Sequence, residues 1–417
     1  MNYFIKNKNS LLIIIIIGFI SLIISAYLGE DALGGAKHDY LFHEKYIISF
    51  NENFFLTLVE FGNNYEVRNS PIFFIFSSFF LKLGFDIEYL KYFNLIVIVP
   101  IIIFFTKCLE LRFENISFET KAFFISIIFI SPTIRSLSAW PYPLIWAICF
   151  FLISIFYFLK FKKSSSKKER VKFSILNTFF LAVSAYFTPN FAIFAIYYLF
   201  YFFKYFKFSL QTYLLVTLNI ILSLPGIYFI IMNDFYLFKH EVNNVKSDYS
   251  LFDTLNISNK IIIISSIFFF FFIPFLYLKE IRGKFSIKNS WVLFLFILIN
   301  IIFFNFPKGL GGGIFFHLSN ILFDGPELLF IVFIISILIM KSLDLFHWQN
   351  VFLFFIIIFY NIQSTIYFKY FDPLMYFIIL FLLNFKLDTD LNKTSKKCFI
   401  LYLFFLFMSI GKRYIVY

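Results

Sequence analysis

Charged residues are scarce in this sequence: only 14% of its 417 residues are Asp, Glu, Lys or Arg, and 61% are hydrophobic. Soluble domains are typically about 25% charged and roughly 45–50% apolar, so the composition excludes an ordinary soluble fold. Runs such as Leu11–Leu28 and Trp291–Phe306 carry no charge at all, and a transmembrane helix needs roughly 17–25 apolar residues. The sequence therefore predicts a multi-pass helical membrane protein.

Cysteine is also scarce. Cys108, Cys149 and Cys398 each lie in or at the end of a hydrophobic run, and their spacing matches neither a metal site nor a disulfide framework. We expect them to pack as small apolar side chains. The P-loop signature with its GKS or GKT ending is absent, and no nucleotide-binding fold is visible, so the sequence predicts no cofactor.

The excess of positive charge, +12, has a distribution typical of membrane topology. The basic residues stand in short clusters between hydrophobic segments, as the positive-inside rule describes, and we therefore predict no nucleic-acid partner. The cluster Lys160–Lys172 holds seven positive charges and one negative charge, which predicts that it faces the cytoplasm. The stretch Leu11–Leu28 follows two lysines and is longer than the roughly 7–15 residues of a signal-peptide core. We interpret it as a retained first span with a cytoplasmic N-terminus.

The number of crossings constrains the next part of the chain. The chain is predicted outside at Asp31 and inside at Lys160, so an odd number of crossings separates them, yet four hydrophobic segments lie between. We assign Pro71–Phe85 to the membrane surface, because this segment is short and begins with a proline, a residue typical of the first helical position.

The predicted fold is an all-α polytopic transmembrane bundle of about 13 spans, forming one domain over residues 1–417. Its first outer loop, residues 29–88, is predicted to contain two helices on the membrane surface. One is Pro71–Phe85, and the other is Asn51–Glu66, in which apolar and polar residues mix at helical spacing. No internal repeat is visible.

Gly29–Ser70 is the only long polar segment in the first hundred residues. A carboxylate close to a membrane surface can act as a general base toward an acceptor hydroxyl or amine, and Asp39 is our candidate for this role. Its neighbours Lys37, His38 and Tyr40 are candidates for orienting Asp39 or for neutralising a charged substrate.

Other interpretations of this loop stay open. Asp31 or Glu30 can replace Asp39 as the functional carboxylate, and a solvated acidic loop without chemistry accounts for the same composition. His38 and His43 together with Asp39 are a poor metal site, because two histidines five residues apart do not share one helix face. We therefore predict no metal.

Three further segments with basic residues are predicted on the same outer side. Arg135 lies near the outer end of a span, where an arginine is costly unless it meets a cavity or a partner, and a guanidinium suits a phosphate. Lys308 precedes the glycine-rich run Gly309–Gly313, whose backbone N–H groups can converge on an anion, and His317 follows it. Lys369 opens a late span and can also meet a phosphate. Each segment also has an interpretation without chemistry. Arg135 can reach the lipid headgroups, the glycine-rich segment can be a flexible loop, and the residues around Lys369 can form a belt of interfacial aromatic residues.

The order of these features resembles that of the GT-C superfamily, the integral-membrane glycosyltransferases that use polyprenyl-phosphate sugars. The superfamily includes protein O-mannosyltransferases and lipid A aminoarabinose transferases, in which a large outer loop with the key acidic residue follows the first span, as Asp39 does here. Arg68-Asn69-Ser70-Pro71 is similar to the basic-x-Pro-Pro pattern that opens the second surface helix. Ser131-Pro132, followed by Arg135, is similar to the proline-rich end of the third span, and Lys369-Tyr370-Phe371-Asp372-Pro373 is similar to a late Arg-Tyr-x-x-Pro motif.

The resemblance implies a glycosyltransferase of the bacterial inner membrane. Its donor would be a polyprenyl-phosphate-linked sugar within the membrane lipid, and its acceptor would be a glycan, lipid or protein on the periplasmic face. Asp39 would accept the proton of the acceptor, while Arg135, Lys308 and Lys369 would contact the lipid phosphate. The other substrate-binding candidates are Asp31, His38, Tyr40, Arg68 and His317. The second outer loop, Arg135–Pro143, lacks the acidic residue that the superfamily often has there.

Two other functions remain open. An O-antigen polymerase or ligase is also a multi-span enzyme with outer arginines, but such enzymes tend to have their large loop late in the chain. A lipid-linked sugar flippase, or another transporter, predicts charges buried at mid-membrane. The hydrophobic runs contain almost no ionisable residues, which favours an interfacial site and hence a transferase.

Overall fold

The computed structural model describes residues 8–32, 35–61, 69–232, 241–242, 245–246, 256–276, 291–308, 311–361, 365–385 and 390–414. Within these ranges the regular structure is helical, apart from one antiparallel pair of two-residue strands, β1 (Glu241–Val242) and β2 (Val245–Lys246). The predicted all-α class is confirmed.

Among the described residues, six helices are long and apolar enough to cross a membrane, and a bent pair makes seven if it counts as one span. The six are Leu11–Leu28, Ile87–Arg112, Pro143–Lys163, Leu210–Met232, Ile257–Phe275 and Leu391–Gly411. This set indicates a helical membrane protein. The predicted total of about 13 spans stays a prediction, because further apolar helices are shorter than a full span.

The chain divides into two compact units, Met1–Lys239 with Leu391–Tyr417, and His240–Asp390. The α-helices of the first unit are α1 (Lys8–Leu28), α2 (Ala36–Glu52), α3 (Phe54–Glu60), α4 (Ile72–Lys82), α5 (Leu90–Arg112), α6 (Phe118–Ile130), α7 (Pro132–Ala139), α8 (Pro143–Lys163), α9 (Lys167–Phe187), α10 (Phe194–Phe206), α11 (Leu210–Met232) and α18 (Leu391–Tyr414). Those of the second unit are α12 (Ile257–Phe272), α13 (Trp291–Ile302), α14 (Gly313–Phe323), α15 (Glu327–Ser342), α16 (Trp348–Tyr360) and α17 (Leu374–Phe377). The prediction of a single domain over 1–417 stays a prediction.

Small and polar residues join α8 to α9 in the first unit. The side-chain amide of Asn177 donates to the backbone oxygen and to the hydroxyl of Ser154, both at 2.9 Å. The hydroxyl of Ser184 donates to the Ala147 carbonyl at 2.7 Å. Such residues let two helix backbones approach closely and bond to each other where no water competes. They help to hold α8 in the interior of this unit.

The predicted span Ala122–Ser138 is not one straight helix, because α6 and α7 meet at Ser131 with a bend of 50°. Pro132 has no N–H with which to continue the hydrogen bonds of α6. The side chain of Ser131 instead caps α7 by accepting from the Ile134 N–H at 3.2 Å. The bend is therefore encoded locally, and Arg135 on α7 faces α1.

The segment predicted as one helix, Asn51–Glu66, is divided between α2 and α3 as far as the structure describes it. This prediction was wrong in its boundaries. α2 extends to Glu52, and Asn53 begins α3 because its side-chain oxygen accepts from the Leu56 N–H at 3.3 Å. Residues 62–68, and with them Arg68, lie outside the described residues. α4 agrees with the predicted helix over Pro71–Phe85, while its location on the membrane surface stays a prediction.

The second unit packs around α12, which contacts α13, α14, α15 and α16. The hydroxyl of Ser336 on α15 donates to the Ser265 carbonyl at 3.1 Å. Asn350 on α16 exchanges two hydrogen bonds of 2.8 Å with the backbone of Asn384. Uncharged side chains thus satisfy backbone groups at the ends and crossings of apolar helices, as they do in the first unit.

Candidate functional site

The connection between α1 and α2 brings several predicted residues together. Asp31 is only 3% exposed, and its carboxylate oxygens accept from the N–H groups of Gly35 at 2.9 Å and Ala36 at 3.1 Å. These N–H groups begin α2 and have no partner within the helix, and a negative charge at this end also suits the helix dipole. Asp31 therefore fixes the start of α2, and this accounts for its burial.

Glu30 forms an ion pair with Arg135 on α7. The Arg135 Nε donates to Oε1 at 2.8 Å and one terminal nitrogen donates to Oε2 at 2.6 Å, the two-point geometry that suits a guanidinium and a carboxylate. The other terminal nitrogen donates to the Ser21 hydroxyl at 3.2 Å and to the Phe129 carbonyl at 3.3 Å. All three nitrogens of Arg135 thus have internal partners, which explains how the unit holds an arginine near the end of a span. A phosphate contact by Arg135 stays a prediction and requires Glu30 to share its partner.

Asp39 lies in the first turn of α2 and is half-buried. Its N–H donates to the Gly35 carbonyl at 2.9 Å, so its backbone belongs to the regular helix. Lys37 and His38 beside it are exposed. Because Asp31 fixes the start of the helix, the side chain of Asp39 projects from a defined backbone rather than from a loose loop.

Trp140, directly after α7, forms a wall beside this first turn. Its ring centroid lies 5.8 Å from that of Tyr40, and the Nζ of Lys37 lies 5.6 Å from the indole centroid, within cation–π range. Lys37 forms no ion pair with any described carboxylate. The indole N–H of Trp140 is buried and has no hydrogen-bond partner in the described part of the chain. The sequence analysis did not select Trp140, whose contacts with this turn arise between residues about 100 positions apart in the sequence.

Tyr40 stays protonated at any physiological pH. Burial, followed by the negative charges of Glu44, Glu88 and Asp86, raises the pKa of its phenol far above the ordinary value. Tyr40 can therefore donate a hydrogen bond but cannot serve as a base. Asp86 and Glu88, which lie in the turn before α5 and are exposed, were missed by the sequence analysis, because nothing in their local sequence indicates that they lie near α2.

The two histidines of this region have different surroundings. His43 is 3% exposed, its Nε2 lies 3.1 Å from the Asn69 side-chain nitrogen, and its ring packs 5.2 Å from Phe74 and 4.9 Å from Tyr142. His38 is exposed on another face of α2. Within the described ranges, no three His, Cys, Asp or Glu residues lie close enough to hold a metal ion.

We call this region the junction site. Its contacts join Glu30, Asp31, Lys37, Tyr40, Arg135 and Trp140, and it includes Asp39 by its place in the first turn of α2. It offers a carboxylate on a fixed helix turn, a cation without a carboxylate partner in the described part of the chain, a neutral phenol and an aromatic ring. Chemically, such a set can accept a proton and attract an anion. Its buried ion pair and its helix cap hold the backbone that carries these groups.

The remaining predicted residues belong to the second unit. Lys308 pairs with Asp324 at the surface, where the two side chains are 59% and 92% exposed. The hydrogen bond from Lys308, and then its charge, lower the pKa of the Asp324 carboxyl. His317 is half-buried in α14. A phosphate contact by Lys308 stays a prediction and requires the lysine to leave or share Asp324.

Lys369 is half-buried in a short 3₁₀-helix, Phe368–Tyr370. Its Nζ lies 5.7 Å from the ring centroids of both Tyr367 and Tyr370, so aromatic rings flank the charge as in an interfacial belt. Whether Lys369, Lys308 and His317 act together with the junction site stays a prediction.

The glycine-rich run of the second unit has a structural use that the sequence analysis did not predict. The Gly312 N–H donates to the Ile366 carbonyl at 2.9 Å, and a Cβ at Gly311 would approach that oxygen to 2.4 Å with φ at +100°. Glycine is thus required by a close backbone approach. This N–H is engaged by the chain itself rather than directed at an anion. Residues 309–310 lie outside the described residues.

Lys260 is a buried charge that the sequence analysis missed. It lies in the first turn of α12, is 2% exposed, and its Nζ donates to the Asn361 carbonyl at 2.6 Å. An ionisable residue buried in an apolar helix is costly and is usually kept for a function. Its position directly before the run beginning at Ile261 made it look like an ordinary loop lysine.

No protein-family model, curated protein or solved structure matches the chain. The relation to the GT-C superfamily therefore stays a resemblance in the order of motifs.

Proposed function

We propose that this protein is a membrane glycosyltransferase that moves a sugar from a polyprenyl-phosphate donor to an acceptor on the outer, periplasmic face of the inner membrane. The observation that carries the proposal is the position of Lys37 beside Trp140, in the same first turn of α2 that carries Asp39. A transferase of this class needs a group that takes the acceptor proton and a positive charge near the leaving phosphate. The apolar helices suit a lipid bilayer, and the bilayer is the medium in which a polyprenyl chain dissolves.

In the proposed reaction the acceptor oxygen or nitrogen attacks the anomeric carbon of the sugar. The bond between that carbon and the phosphate oxygen breaks, and its electron pair stays on the departing polyprenyl phosphate. The carboxylate of Asp39 takes the proton of the acceptor. Lys37 offsets the negative charge that develops on the phosphate, and Trp140 provides a flat surface for the sugar ring.

The buried part of the junction site has a positioning role in this proposal. Asp31 fixes the first turn of α2 through hydrogen bonds of 2.9 and 3.1 Å, and the Glu30–Arg135 pair ties the preceding residues to α7. Catalytic groups work best when their supporting contacts hold them within a fraction of an ångström. Asp31 and Glu30 are thus assigned to the support of Asp39 rather than to proton transfer.

The test is a comparison of the glycolipid and glycan composition of cells that lack this protein with that of cells carrying variants. The wild-type chain should restore a glycan that the deletion removes, and Asp39→Asn should not, although it reaches the membrane in equal amount. Glu52→Gln is the matched control, since it removes one exposed carboxylate at the other end of the same helix. It should restore the glycan fully.

Two results would contradict the proposal. If the deletion leaves every glycan and glycolipid unchanged, the protein is not the transferase of a required sugar. If Asp39→Asn restores the glycan as well as Glu52→Gln does, Asp39 is not the base.

A second candidate, a transporter of a lipid-linked sugar, is favoured by the burial of Lys260 in α12. A transporter moves its cargo without breaking the bond between sugar and phosphate. Purified protein in vesicles that contain a lipid-linked sugar distinguishes the two. A transferase releases polyprenyl phosphate when an acceptor is added, whereas a transporter changes only the leaflet that holds the lipid and does not require Asp39.

A further inference from the structure

A basic pocket lies at one end of the first unit, between the C-terminal ends of α8 and α10 and the start of α9. It is an open concavity with a volume of about 340 Å³, within the range of small-ligand sites. We call it the basic pocket, and it is lined by Phe161, Lys162, Arg170, Tyr201, Lys204 and Tyr205. The junction site shares none of these residues.

The three cations of the basic pocket have no carboxylate partner among the residues that the structure describes. The ion pairs of the described residues involve other lysines and arginines. Glu169, the one acidic residue of the surrounding cluster, accepts instead from the Ser164 hydroxyl at 2.7 Å. Lys162, Arg170 and Lys204 thus concentrate positive charge in one concavity, and the like charge of Arg112 adds to the repulsion at Lys162.

The side chains of the pocket are held in place by the protein itself. The Arg170 guanidinium lies 3.9 Å from the centroid of the Tyr205 ring, and its Nε donates to the Ser164 carbonyl at 2.6 Å. The Nζ of Lys162 lies 5.6 Å from the ring centroid of Tyr201. The terminal nitrogens of Arg170 make no further hydrogen bond within the described residues. The two terminal nitrogens of Arg170 are therefore held in position and can donate hydrogen bonds to a ligand.

We propose that the basic pocket binds a phosphate group, supplied either by the headgroup of an anionic lipid or by free phosphate. A guanidinium, two ammonium groups and two phenols match the acceptor oxygens of a phosphate. The aromatic lining favours the lipid source, because a headgroup at a helix end keeps its glycerol and first methylenes against apolar surface. The helix ends that form the pocket carry the cluster predicted to face the cytoplasm, where anionic lipids concentrate and basic pockets between helices bind their headgroups.

The test uses full-length protein in nanodiscs of phosphatidylcholine, to which either phosphatidylglycerol or inorganic phosphate is added. The readout is lipid or phosphate retained by the protein, together with its apparent unfolding temperature. Lys204 is exposed, so Lys204→Gln should leave the fold intact. This variant is tested alone and together with Lys162→Gln. Each lost charge should weaken phosphatidylglycerol binding roughly tenfold, the effect of one charge-assisted hydrogen bond of about 1.5 kcal/mol. Lys163→Gln is the matched control, since it removes the same charge from the neighbouring exposed position outside the pocket.

The outcomes separate the two sources of phosphate. Selective weakening of phosphatidylglycerol binding by the pocket variants, with no weakening by Lys163→Gln, supports a lipid site. Equal retention of inorganic phosphate, lost in the same variants and with no preference for the lipid, supports a site for free phosphate. Equal weakening by Lys163→Gln and Lys204→Gln would reduce the effect to general surface charge and overturn the proposal, as would binding of neither probe. A normal unfolding temperature of the Lys204→Gln variant without any added probe excludes misfolding as the cause. None of these results depends on the activity assigned to Asp39.

Discussion

Arg135 and Glu30, which are 105 residues apart in the sequence, form a two-point ion pair with nitrogen–oxygen distances of 2.8 and 2.6 Å. The pair links the C-terminal end of α1 to α7. The side chains of Arg135 and Glu30 are only 13% and 12% exposed. In such a place the attraction between the charges must offset their loss of water. Removing one partner leaves the other charge buried and unpaired. The loss of stability is therefore larger than the net contribution of the intact pair.

Glu30→Gln should destabilise the protein by about 2 kcal/mol, less than the roughly 3–5 kcal/mol found when a fully buried pair loses one partner. The glutamine keeps the size of the side chain but leaves the charge of Arg135 without its carboxylate. Reversible unfolding in mixed micelles measures the effect. The double variant Glu30→Gln with Arg135→Gln should recover part of the loss, because no unpaired charge remains.

The matched control is Lys121→Gln, which breaks the 2.6 Å pair between Lys121, whose side chain is 11% exposed, and Glu110, whose side chain is 49% exposed. The carboxylate left behind at Glu110 keeps its contact with water, so the loss should be about 1 kcal/mol or less, as for exposed pairs. If Glu30→Gln costs no more than Lys121→Gln, water reaches the Glu30–Arg135 pair and the structural role assigned to it is wrong.

The sequence predicted the class of the fold better than it predicted which residues meet at the junction site. Apolar runs are visible one by one, so the all-α membrane class followed from Leu11–Leu28 and its counterparts. The sequence also showed that an arginine at position 135, near the end of a span, costs free energy unless it has a partner. The sequence does not identify that partner, since Glu30 and Arg135 are 105 residues apart and meet through the packing of helices.

Helix capping and contacts between distant parts of the chain explain the other differences between prediction and structure. Asp31 looked like a candidate base because a carboxylate in a polar loop has no visible task until the helix that it caps is known. Asp86 and Trp140 were missed because their proximity to Tyr40 arises from packing between elements. Asn53, by contrast, is a strong helix-start residue, and the boundary between α2 and α3 was available from the sequence.

Asp31→Ala should destabilise the protein by about 1–2 kcal/mol, because the N–H groups of Gly35 and Ala36 lose their acceptor. Asp31→Asn keeps one side-chain oxygen and should lose about half as much. Hydrogen exchange of the first-turn amides of α2 checks the cause, since these amides should exchange faster in the alanine variant. Asp86→Ala is the control: it removes an exposed cap, at 3.1 Å from the Glu88 N–H, and should leave the α2 amides unchanged. Unaltered exchange in Asp31→Ala would show that water replaces the cap at no cost.

Gly18→Ala should destabilise the contact between α1 and α6 by about 1–3 kcal/mol. A Cβ at Gly18 would come within 2.4 Å of the Phe129 ring, and Phe129 is 3% exposed, so the ring has little room to move. Phe129→Leu removes the obstacle, and the cost of Gly18→Ala should fall in that background. A double-mutant cycle on unfolding free energies measures this coupling.

Gly226→Ala is the control for the previous substitution. Gly226 lies within α11, and a Cβ there would come no closer than 3.9 Å to the nearest side-chain atom, on Tyr186. Alanine should be neutral or slightly stabilising at this position. If Gly18→Ala is as harmless as Gly226→Ala, α1 and α6 do not pack as closely as the structure has them.

The pair of Lys308 and Asp324 should give a small stability term that depends on pH and salt. The lysine lowers the pKa of the Asp324 carboxyl below its ordinary value of 3.8. A group whose folded pKa is lowered stabilises the protein above its unfolded pKa, and the benefit disappears as the pH falls through the folded pKa. Lys308→Met should therefore be slightly less stable than the wild type at neutral pH and equal to it in acid below the lowered pKa. Salt at about 1 M should abolish the difference at neutral pH, and a difference that persists in acid or in salt would show that the methionine acts through packing instead.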